Sequence, residues 1–304
     1  MNESFILRSG YDGLGISVMM TLPEGETSAV LQLAHGMRGH KERFLPLMEF
    51  LAMNGVACVA NDHRGHGESV RSVHDRGYMY SGGYPALVDD MRVVNEWIHA
   101  HFPEKPVFLL GHSMGSMAAR IYTKKYDSML SGLIVCGTPG YVPSVRMFML
   151  LTGLLGLFNH GRMRPAFIQD MASEWYNRRF AEEGKMAWVC SDPQERRELV
   201  ENPLCNYTFT INGLHNLLGM MMNANSSKGW AMANPNLPVV FISGADDPCM
   251  GGEKKLHDAA KMMYVMGYHN VTAAIFTEMR HEILHEVGKE IVWKDVLDFI
   301  NACA

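Results

Sequence analysis

The sequence has no excess of basic charge and no long run of lysine and arginine. Its 304 residues include 27 Lys and Arg against 32 Asp and Glu, which gives a net charge of -5 at pH 7. Such a chain has no positive field with which to attract a phosphate backbone. Nucleic acid is therefore not a predicted partner.

Nucleotide-binding fingerprints are also missing. We find neither the Gly-x-x-x-x-Gly-Lys phosphate loop nor the glycine pattern of a dinucleotide site, and no cofactor is predicted. The six cysteines are scattered without metal or disulfide spacing, and Cys58 and Cys136 lie inside apolar runs like small buried hydrophobic residues. This usage fits a reducing compartment.

Metal-ligand spacing is lacking among the histidines as well. His35 and His40 form one close pair, and His63 and His66 form another. Neither pair brings a neighbouring acid or a third ligand at a spacing typical of a metal site. No metal is predicted.

Long hydrophobic runs are scarce. The N-terminus has no basic start followed by an apolar stretch, so no secretory signal is visible and a cytoplasmic protein is predicted. The most apolar segment, residues 147–158, is shorter than the roughly 20 residues that span a bilayer. We consider three interpretations of this segment: a buried helix, the wall of an apolar substrate tunnel, or a surface that transiently contacts a membrane or micelle.

Strand and helix patterns alternate along most of the chain. Short apolar strand candidates begin at Ser4, Gly15, Ala29, Val56, Pro106, Leu130, Leu237 and Val271. Helical patterns follow several of them, as at 41–54, 84–101 and 116–126. This alternation predicts an α/β fold with a mostly parallel sheet, helices on both faces, and a ligand site beyond the carboxyl ends of the strands.

The alternation breaks between residues 141 and 234. This stretch is helical in pattern, rich in methionine and without a convincing strand. We predict a core formed by residues 1–140 and 235–304, with residues 141–234 inserted as a helical cap over the carboxyl edge of the sheet.

The clearest motif is Gly111-His-Ser-Met-Gly115, which follows an apolar strand and precedes a helix. This strand, sharp turn and helix form the context of a nucleophile elbow, in which small residues must flank the serine. Ser113 is the predicted nucleophile, and the amide of Met114 at the helix start is a predicted oxyanion donor. A second donor is expected after the third strand, where the amide of Met37 is the candidate. The alternative interpretation is a glycine-rich turn that happens to hold a serine.

A base and an acid follow in the order that this architecture uses. Asp246 and Asp247 end the strand after the cap, and His281 lies just beyond the next strand. His281 would take the proton of Ser113, and a carboxylate would orient the imidazole. The residues alone do not decide between Asp246 and Asp247, and His281 as an ordinary surface histidine is the alternative.

These motifs resemble the monoacylglycerol lipase and lysophospholipase branch of the α/β-hydrolases, which is often labelled serine aminopeptidase S33-like. The resemblance rests on His35-Gly-Met with His40 and Arg43, on Asp62-x-Arg-Gly-His-Gly-x-Ser69, on the elbow, on Gly244-Ala-Asp-Asp-Pro248 and on His281. It implies an α/β-hydrolase fold with an inserted cap and assigns the acid role to Asp247. Gly36 and His112 are expected to contact substrate, and Asp62 is expected to accept structural hydrogen bonds near the elbow. Gly39 and Phe44 depart from the Glu and Tyr that are usual in the family.

The resemblance also implies a reaction, hydrolysis of a single-chain acyl ester such as a monoacylglycerol or lysophospholipid. The residues themselves support a serine nucleophile acting on an ester or amide. An S33-type aminopeptidase would need an acidic group in the cap, for which Glu174, Asp192, Glu195 and Glu201 are candidates. We also consider a broad-specificity carboxylesterase and a non-catalytic ligand-binding protein.

Overall fold

The computed structural model describes residues 2–304, and its centre is one eight-stranded sheet. The strands are β1 Asn2–Arg8, β2 Gly15–Thr21, β3 Ala29–Ala34, β4 Val56–Asn61, β5 Val107–His112, β6 Gly132–Cys136, β7 Val239–Gly244 and β8 Val271–Phe276. Their order in the sheet is β1-β2-β4-β3-β5-β6-β7-β8. Strand β2 runs antiparallel to β1 and β4, and the pairs from β4 to β8 are parallel. The predicted α/β class and mostly parallel sheet are confirmed.

Helices cover both faces of this sheet. They are α1 Leu45–Met53, α2 Gly83–His101, α3 Met114–Tyr126, α4 Val145–Gly156, α5 Ala166–Asn177, α6 Pro193–Glu201, α7 Ile211–Ala224, α8 Glu253–Val265 and α9 Lys289–Cys303. Apolar side chains of α1 and α9 pack on one face, and those of α2, α3 and α8 pack on the other. Because both faces are covered, every residue of β3, β4 and β5 is buried, as continuous apolar runs predict.

Helices α4 to α7 all lie between β6 and β7, in the segment that the sequence suggests as a cap. No strand occurs there among the described residues. Helix α7 attaches this segment to the core, since it packs against α2 and α3 as well as α4. Met220 of α7 is fully buried in the core, which agrees with a packing role.

Helix α4 contradicts the interpretation of the apolar segment as a buried helix. Leu150, Leu154 and Leu157 are 73%, 64% and 79% exposed, whereas α4 buries only Val145 and Thr152. The period of apolar residues could not reveal this, because almost every position of the helix is apolar and no polar face marks the side toward water.

Residues 2–304 contain no candidate membrane-spanning helix. No helix there combines the length and the apolar character that a bilayer crossing requires.

Candidate active site

Ser113 lies on a strained turn between β5 and α3. Its backbone has φ 54° and ψ -115°, a conformation that residues other than glycine rarely adopt. A Cβ at Gly111 would lie 2.3 Å from the carbonyl oxygen of Gly115, and one at Gly115 would lie 2.1 Å from that of Ala34. Both glycines are therefore required by close backbone packing, as the elbow motif predicts.

The structure brings the hydroxyl of Ser113, the ring of His281 and the carboxylate of Asp247 into one hydrogen-bonded row. Oγ of Ser113 lies 2.8 Å from Nε2 of His281, and Nδ1 of His281 lies 2.9 Å from Oδ2 of Asp247. These side chains come from the elbow, from the loop after β8 and from the loop after β7. The row has the geometry that a serine, its base and its orienting acid require.

Asp246 and Asp247 have different environments. Asp247 is buried and accepts hydrogen bonds from the amide of Cys249 at 2.8 Å and from the hydroxyl of Ser243 at 3.3 Å. Asp246 points away, and its carboxylate forms an ion pair with Arg179 at 2.6 Å. Only Asp247 contacts the imidazole, which agrees with the assignment that the resemblance implied.

The electrostatic surroundings of His281 favour its protonated form. Burial alone would lower the pKa of the imidazole, but the charge of Asp247 and its hydrogen bond outweigh burial, and the pKa of His281 is raised above 6.5. A raised pKa makes the ring a stronger proton acceptor, while Asp247 holds the proton on Nδ1 and leaves Nε2 free to face Ser113.

The loop after β3 lies directly against the nucleophile. A Cβ at Gly36 would be 3.0 Å from Cβ of Ser113 and 3.3 Å from Nδ1 of His112. This contact puts the next residue, Met37, beside the elbow, while Met114 is the first residue of α3. Within residues 2–304, neither amide has a hydrogen-bond acceptor. Both amides are therefore available as donors.

Gly36 and His112 are close to Ser113 and His281, and their predicted contact with substrate stays a prediction. The ring of His112 is buried and lies 5.0 Å from that of His281. Its Nε2 is 3.1 Å from the carbonyl oxygen of His281, to which the ring donates. Burial lowers the pKa of His112 to about 4, so the ring is neutral at pH 7. His112 thus supports the backbone of His281.

Asp62 accepts hydrogen bonds, as expected, but its partners belong to two loops outside the elbow. The amide and ammonium group of Lys41 donate at 2.8 and 3.1 Å, and the amide of Glu68 donates at 2.8 Å. Both Lys41 and Asp62 are buried. Arg64 of the same motif is paired with Asp90 at 2.7 Å. The Lys41 to Asp62 pair therefore anchors the loop that carries Gly36 and Met37, a role that the sequence did not indicate.

In the structure, His35 packs against His63 and His66, which form the other close pair of histidines in the sequence. The rings of His35 and His63 lie 4.3 Å apart, those of His35 and His66 lie 5.1 Å apart, and Nε2 of His35 accepts from the amide of His63. Burial lowers the pKa of His63 and of His66 to about 3. Neutral rings packed in this way support the loop after β3.

Asp247, Cys249 and His281 form a group of three potential metal ligands in the described part of the chain. One ligand atom from each falls within 4.8 Å of the others. Two of these residues already hydrogen-bond each other within the row that includes Ser113. A metal here would compete with that hydrogen bond.

Several residues around His281 escaped the sequence analysis. Glu282 pairs with Arg43 at 2.6 Å and with His285 at 2.6 Å. Burial would raise the pKa of Glu282, but Arg43 and His285 lower it well below its usual range. The ring of Trp188 lies 5.3 Å from that of His281. The position of Glu282 directly after His281 is the only sequence signal for its ion pairs. Nothing in the sequence indicated the contact between Trp188 and His281.

A family model described as serine aminopeptidase, S33, matches residues 25–288. The chain belongs to the serine aminopeptidase S33 family. Two relatives of this S33 protein match it over most of its length. Monoglyceride lipase of Rattus norvegicus is 24% identical and is matched over 88% of this chain and 83% of its own length. A probable lysophospholipase L2 of Haemophilus influenzae is 22% identical over 92% of this chain and 84% of its own.

Solved structures confirm the α/β-hydrolase fold. A thermostable carboxyl esterase from Bacillus coagulans, solved in complex with glycerol, superposes with a TM-score of 0.89 at 24% identity and covers 99% of this chain and 98% of that one. The S33 protein thus falls within the monoglyceride lipase and lysophospholipase branch of this fold, as its motifs implied.

Proposed function

We propose that this protein is a serine hydrolase of carboxylic esters whose substrates are single-chain acyl esters such as monoacylglycerols and lysophospholipids. The observation that carries the proposal is the hydrogen-bonded row from Ser113 Oγ through His281 to Asp247. Support for the substrate class comes from the relatives, which are a monoglyceride lipase and a probable lysophospholipase.

The proposed reaction begins with attack of Ser113 Oγ on the acyl carbon. Nε2 of His281 takes the hydroxyl proton while Asp247 stabilises the imidazolium that forms. The negative charge that develops on the carbonyl oxygen is received by the amides of Met37 and Met114. His281 then gives its proton to the leaving alcohol, and an acyl group remains on Ser113.

Water completes the cycle along the same path in reverse. His281 removes a proton from water, the hydroxide attacks the acyl carbon, and Ser113 leaves with the proton that returns from His281. Protein amides and side chains supply every group in these steps, and the proposal assigns no role to a metal or cofactor.

The family description favours one alternative, an aminopeptidase. Such an enzyme needs a carboxylate in the cap to pair with the substrate amine. Asp192 instead caps α6 by accepting from the amide of Gln194, and Glu195 faces Arg43 and Lys289, each at 3.7 Å. Glu174 and Glu201 are exposed. These environments leave no cap carboxylate of the four committed to an amine site, and the ester hypothesis is preferred.

A substrate panel tests the proposal. Monoacylglycerols, lysophosphatidylcholines, short p-nitrophenyl esters and aminoacyl naphthylamides are offered to the wild-type protein and to Ser113→Ala. We expect turnover of the acyl esters and its loss in the variant. Turnover of the naphthylamides alone would favour the peptidase. If a fluorophosphonate also failed to label Ser113, a non-catalytic protein would be the better description.

We also propose that the exposed part of the cap contacts a membrane or micelle. Helix α4 exposes Leu150 and Leu154, Leu157 just after it is also exposed, and Met147 and Phe158 beside them are 62% and 66% exposed. Monomeric proteins seldom expose contiguous apolar patches larger than a few hundred Å² without a use for them. An enzyme that acts on single-chain lipids must collect its substrates from membranes or micelles. The cap assignment to residues 141–234 and a cytoplasmic location are parts of the same proposal.

A further inference from the structure

The cap segment 173–191, here named the cap strap, contacts the acid loop and the base loop of the triad. It includes the end of α5 and the residues that lead toward α6. The indole of Trp188 lies against the imidazole of His281, with ring centroids 5.3 Å apart and planes inclined by 35°. One face of the His281 imidazole is therefore covered by a side chain of the cap.

Helix α5 fixes the orientation of Trp188 at three points. The indole Nε1 donates to Oγ of Ser173 at 3.3 Å, and the backbone amide of Trp188 donates to Oδ1 of Asn177 at 3.0 Å. The ring of Tyr176 lies 4.9 Å from the indole. These contacts hold the ring that faces His281 at both its backbone and its tip.

The backbone on each side of His281 is tied to the same strap. The amide of Glu282 donates to the carbonyl of Val189 at 2.8 Å, and the guanidinium of Arg280 donates to the carbonyl of Ala187 at 2.6 Å. The Arg280 guanidinium also lies 4.0 Å from the ring centroid of Phe180. The residues before and after His281 therefore both bind the cap, in addition to the contacts that His281 and Glu282 make with His112 and Arg43.

The acid loop reaches the strap through Tyr176. The hydroxyl of Tyr176 lies beside the thiol of Cys249, and both groups have a raised pKa. The amide of Cys249 in turn donates to Oδ1 of Asp247 at 2.8 Å. Tyr176 consequently touches Trp188 on the base side and Cys249 on the acid side. It is the residue through which the strap relates the two loops.

We propose that Trp188 and Tyr176 are positioning residues that set the imidazole of His281 and the carboxylate of Asp247 relative to Ser113. The inference rests on the proposed serine-hydrolase function and deepens it, because it makes the cap part of the catalytic geometry as well as a cover for substrate. Misplacement of a reacting group by about 1 Å can cost roughly 100-fold in rate. Helix α5, from which the strap begins, has no buried residue. Substitutions in the strap can therefore loosen it locally.

The test uses p-nitrophenyl acetate, whose acyl group is too short to contact a lipid-binding wall. Trp188→Ala is expected to lower kcat by about 10-fold to 100-fold with little change in KM, because the imidazole loses its support. Trp188→Phe keeps an aromatic ring and is expected to recover most of that loss. Tyr176→Phe keeps the ring beside Trp188 but removes the hydroxyl beside Cys249, and is expected to lower kcat by roughly 3-fold to 10-fold.

Two variants serve as matched controls. Trp175 lies one residue before Tyr176 and is 63% exposed, and Tyr264 at the end of α8 is 62% exposed. Trp175→Ala and Tyr264→Phe remove the same chemical groups from the surface, so kcat is expected to stay unchanged. Thermal unfolding of each variant separates loss of support from loss of the fold.

Unchanged kcat in both Trp188→Ala and Tyr176→Phe would overturn the proposal. So would a rise of KM alone, which would make Trp188 a pocket wall. If Trp188→Ala fails to fold, Tyr176→Phe decides in the same terms.

The rate at which a fluorophosphonate labels Ser113 is measured in parallel and needs no ester substrate. If Ser113 of the wild-type protein is labelled but no ester is turned over, the proposed substrate class is contradicted. Slower labelling of Ser113 in the variants would still support the positioning role of Trp188 and Tyr176.

Discussion

Oδ2 of Asp247 lies 2.9 Å from Nδ1 of His281, and this contact outweighs burial in setting the pKa of the imidazole. A base must be unprotonated to accept a proton from Ser113. Activity is therefore expected to be lost as pH falls through the pKa of His281 and to be regained as pH rises through it. The direction of the shift puts this limb above 6.5, the ordinary value.

Asp247→Asn is expected to change both the rate and the pH profile. Without the carboxylate, burial is the dominant influence and the limb of kcat/KM moves to lower pH. The wrong tautomer of His281 is also favoured, and kcat is expected to fall by about 10⁴-fold. Steady-state kinetics between pH 5 and pH 9 measure both effects. Asp246→Asn is the matched control, because Asp246 faces Arg179, and a loss as large as that of Asp247→Asn would contradict the assignment.

Gly36→Ala is expected to impair the oxyanion loop. The new methyl group would lie 3.0 Å from Cβ of Ser113, so the elbow and the loop that carries the amide of Met37 must move apart by a few tenths of an ångström. Loss of one oxyanion donor costs about 100-fold to 1,000-fold in kcat in other hydrolases, and a partial shift is expected to cost about 10-fold or more. Gly25→Ala is the control, since nothing lies within 4 Å of its added carbon. Wild-type kcat in Gly36→Ala would contradict the expected sensitivity of the oxyanion loop to its distance from Ser113.

Lys41→Met is expected to destabilise the fold. The side chains of Lys41 and Asp62 are 1% and 0% exposed, and the substitution leaves the buried carboxylate without its cation. Removal of one partner of a buried pair typically costs about 3–5 kcal/mol in free energy of unfolding. Urea denaturation measures this change. Lys105→Met, which breaks the exposed pair with Glu26, is expected to leave the urea midpoint unchanged.

Replacement of Leu150 and Leu154 by serine is expected to weaken lipid binding without changing hydrolysis of p-nitrophenyl acetate. Burial of one leucine side chain contributes about 1.5–3 kcal/mol, so two substitutions should reduce vesicle affinity by at least about 100-fold. Sedimentation with phosphatidylcholine vesicles measures it. Met53→Ser is the control, because Met53 is 80% exposed but lies at the end of α1, outside the proposed cap. Equal binding by all these proteins would contradict the proposed cap contact.

Much of the sheet and the residues of the triad row follow from local sequence. The strands at Ala29, Val56 and Val107 are recognisable because strands buried on both faces are continuous apolar runs. The elbow is recognisable because close packing around Ser113 excludes side chains at Gly111 and Gly115. These constraints act within a few residues and leave a direct mark on the sequence.

Long-range contacts leave no such mark. Lys41 and Asp62 are 21 residues apart, and Trp188 meets His281 only because the segment between β6 and β7 folds back over the end of the sheet. The choice between Asp246 and Asp247 depends on the direction of two adjacent side chains, which composition does not encode. The exposure of α4 depends on which surface the cap turns outward. Tertiary packing decides all of these features.

The most direct test of the account is mass spectrometry of the peptide that contains Ser113 after rapid quenching of a reaction with a p-nitrophenyl ester. A hydrolase that acts through Ser113 is expected to give a burst of p-nitrophenol equal to the enzyme concentration and an acyl group on Ser113, with neither in Ser113→Ala. A burst with the acyl group on another residue, or full turnover by Ser113→Ala, would contradict it.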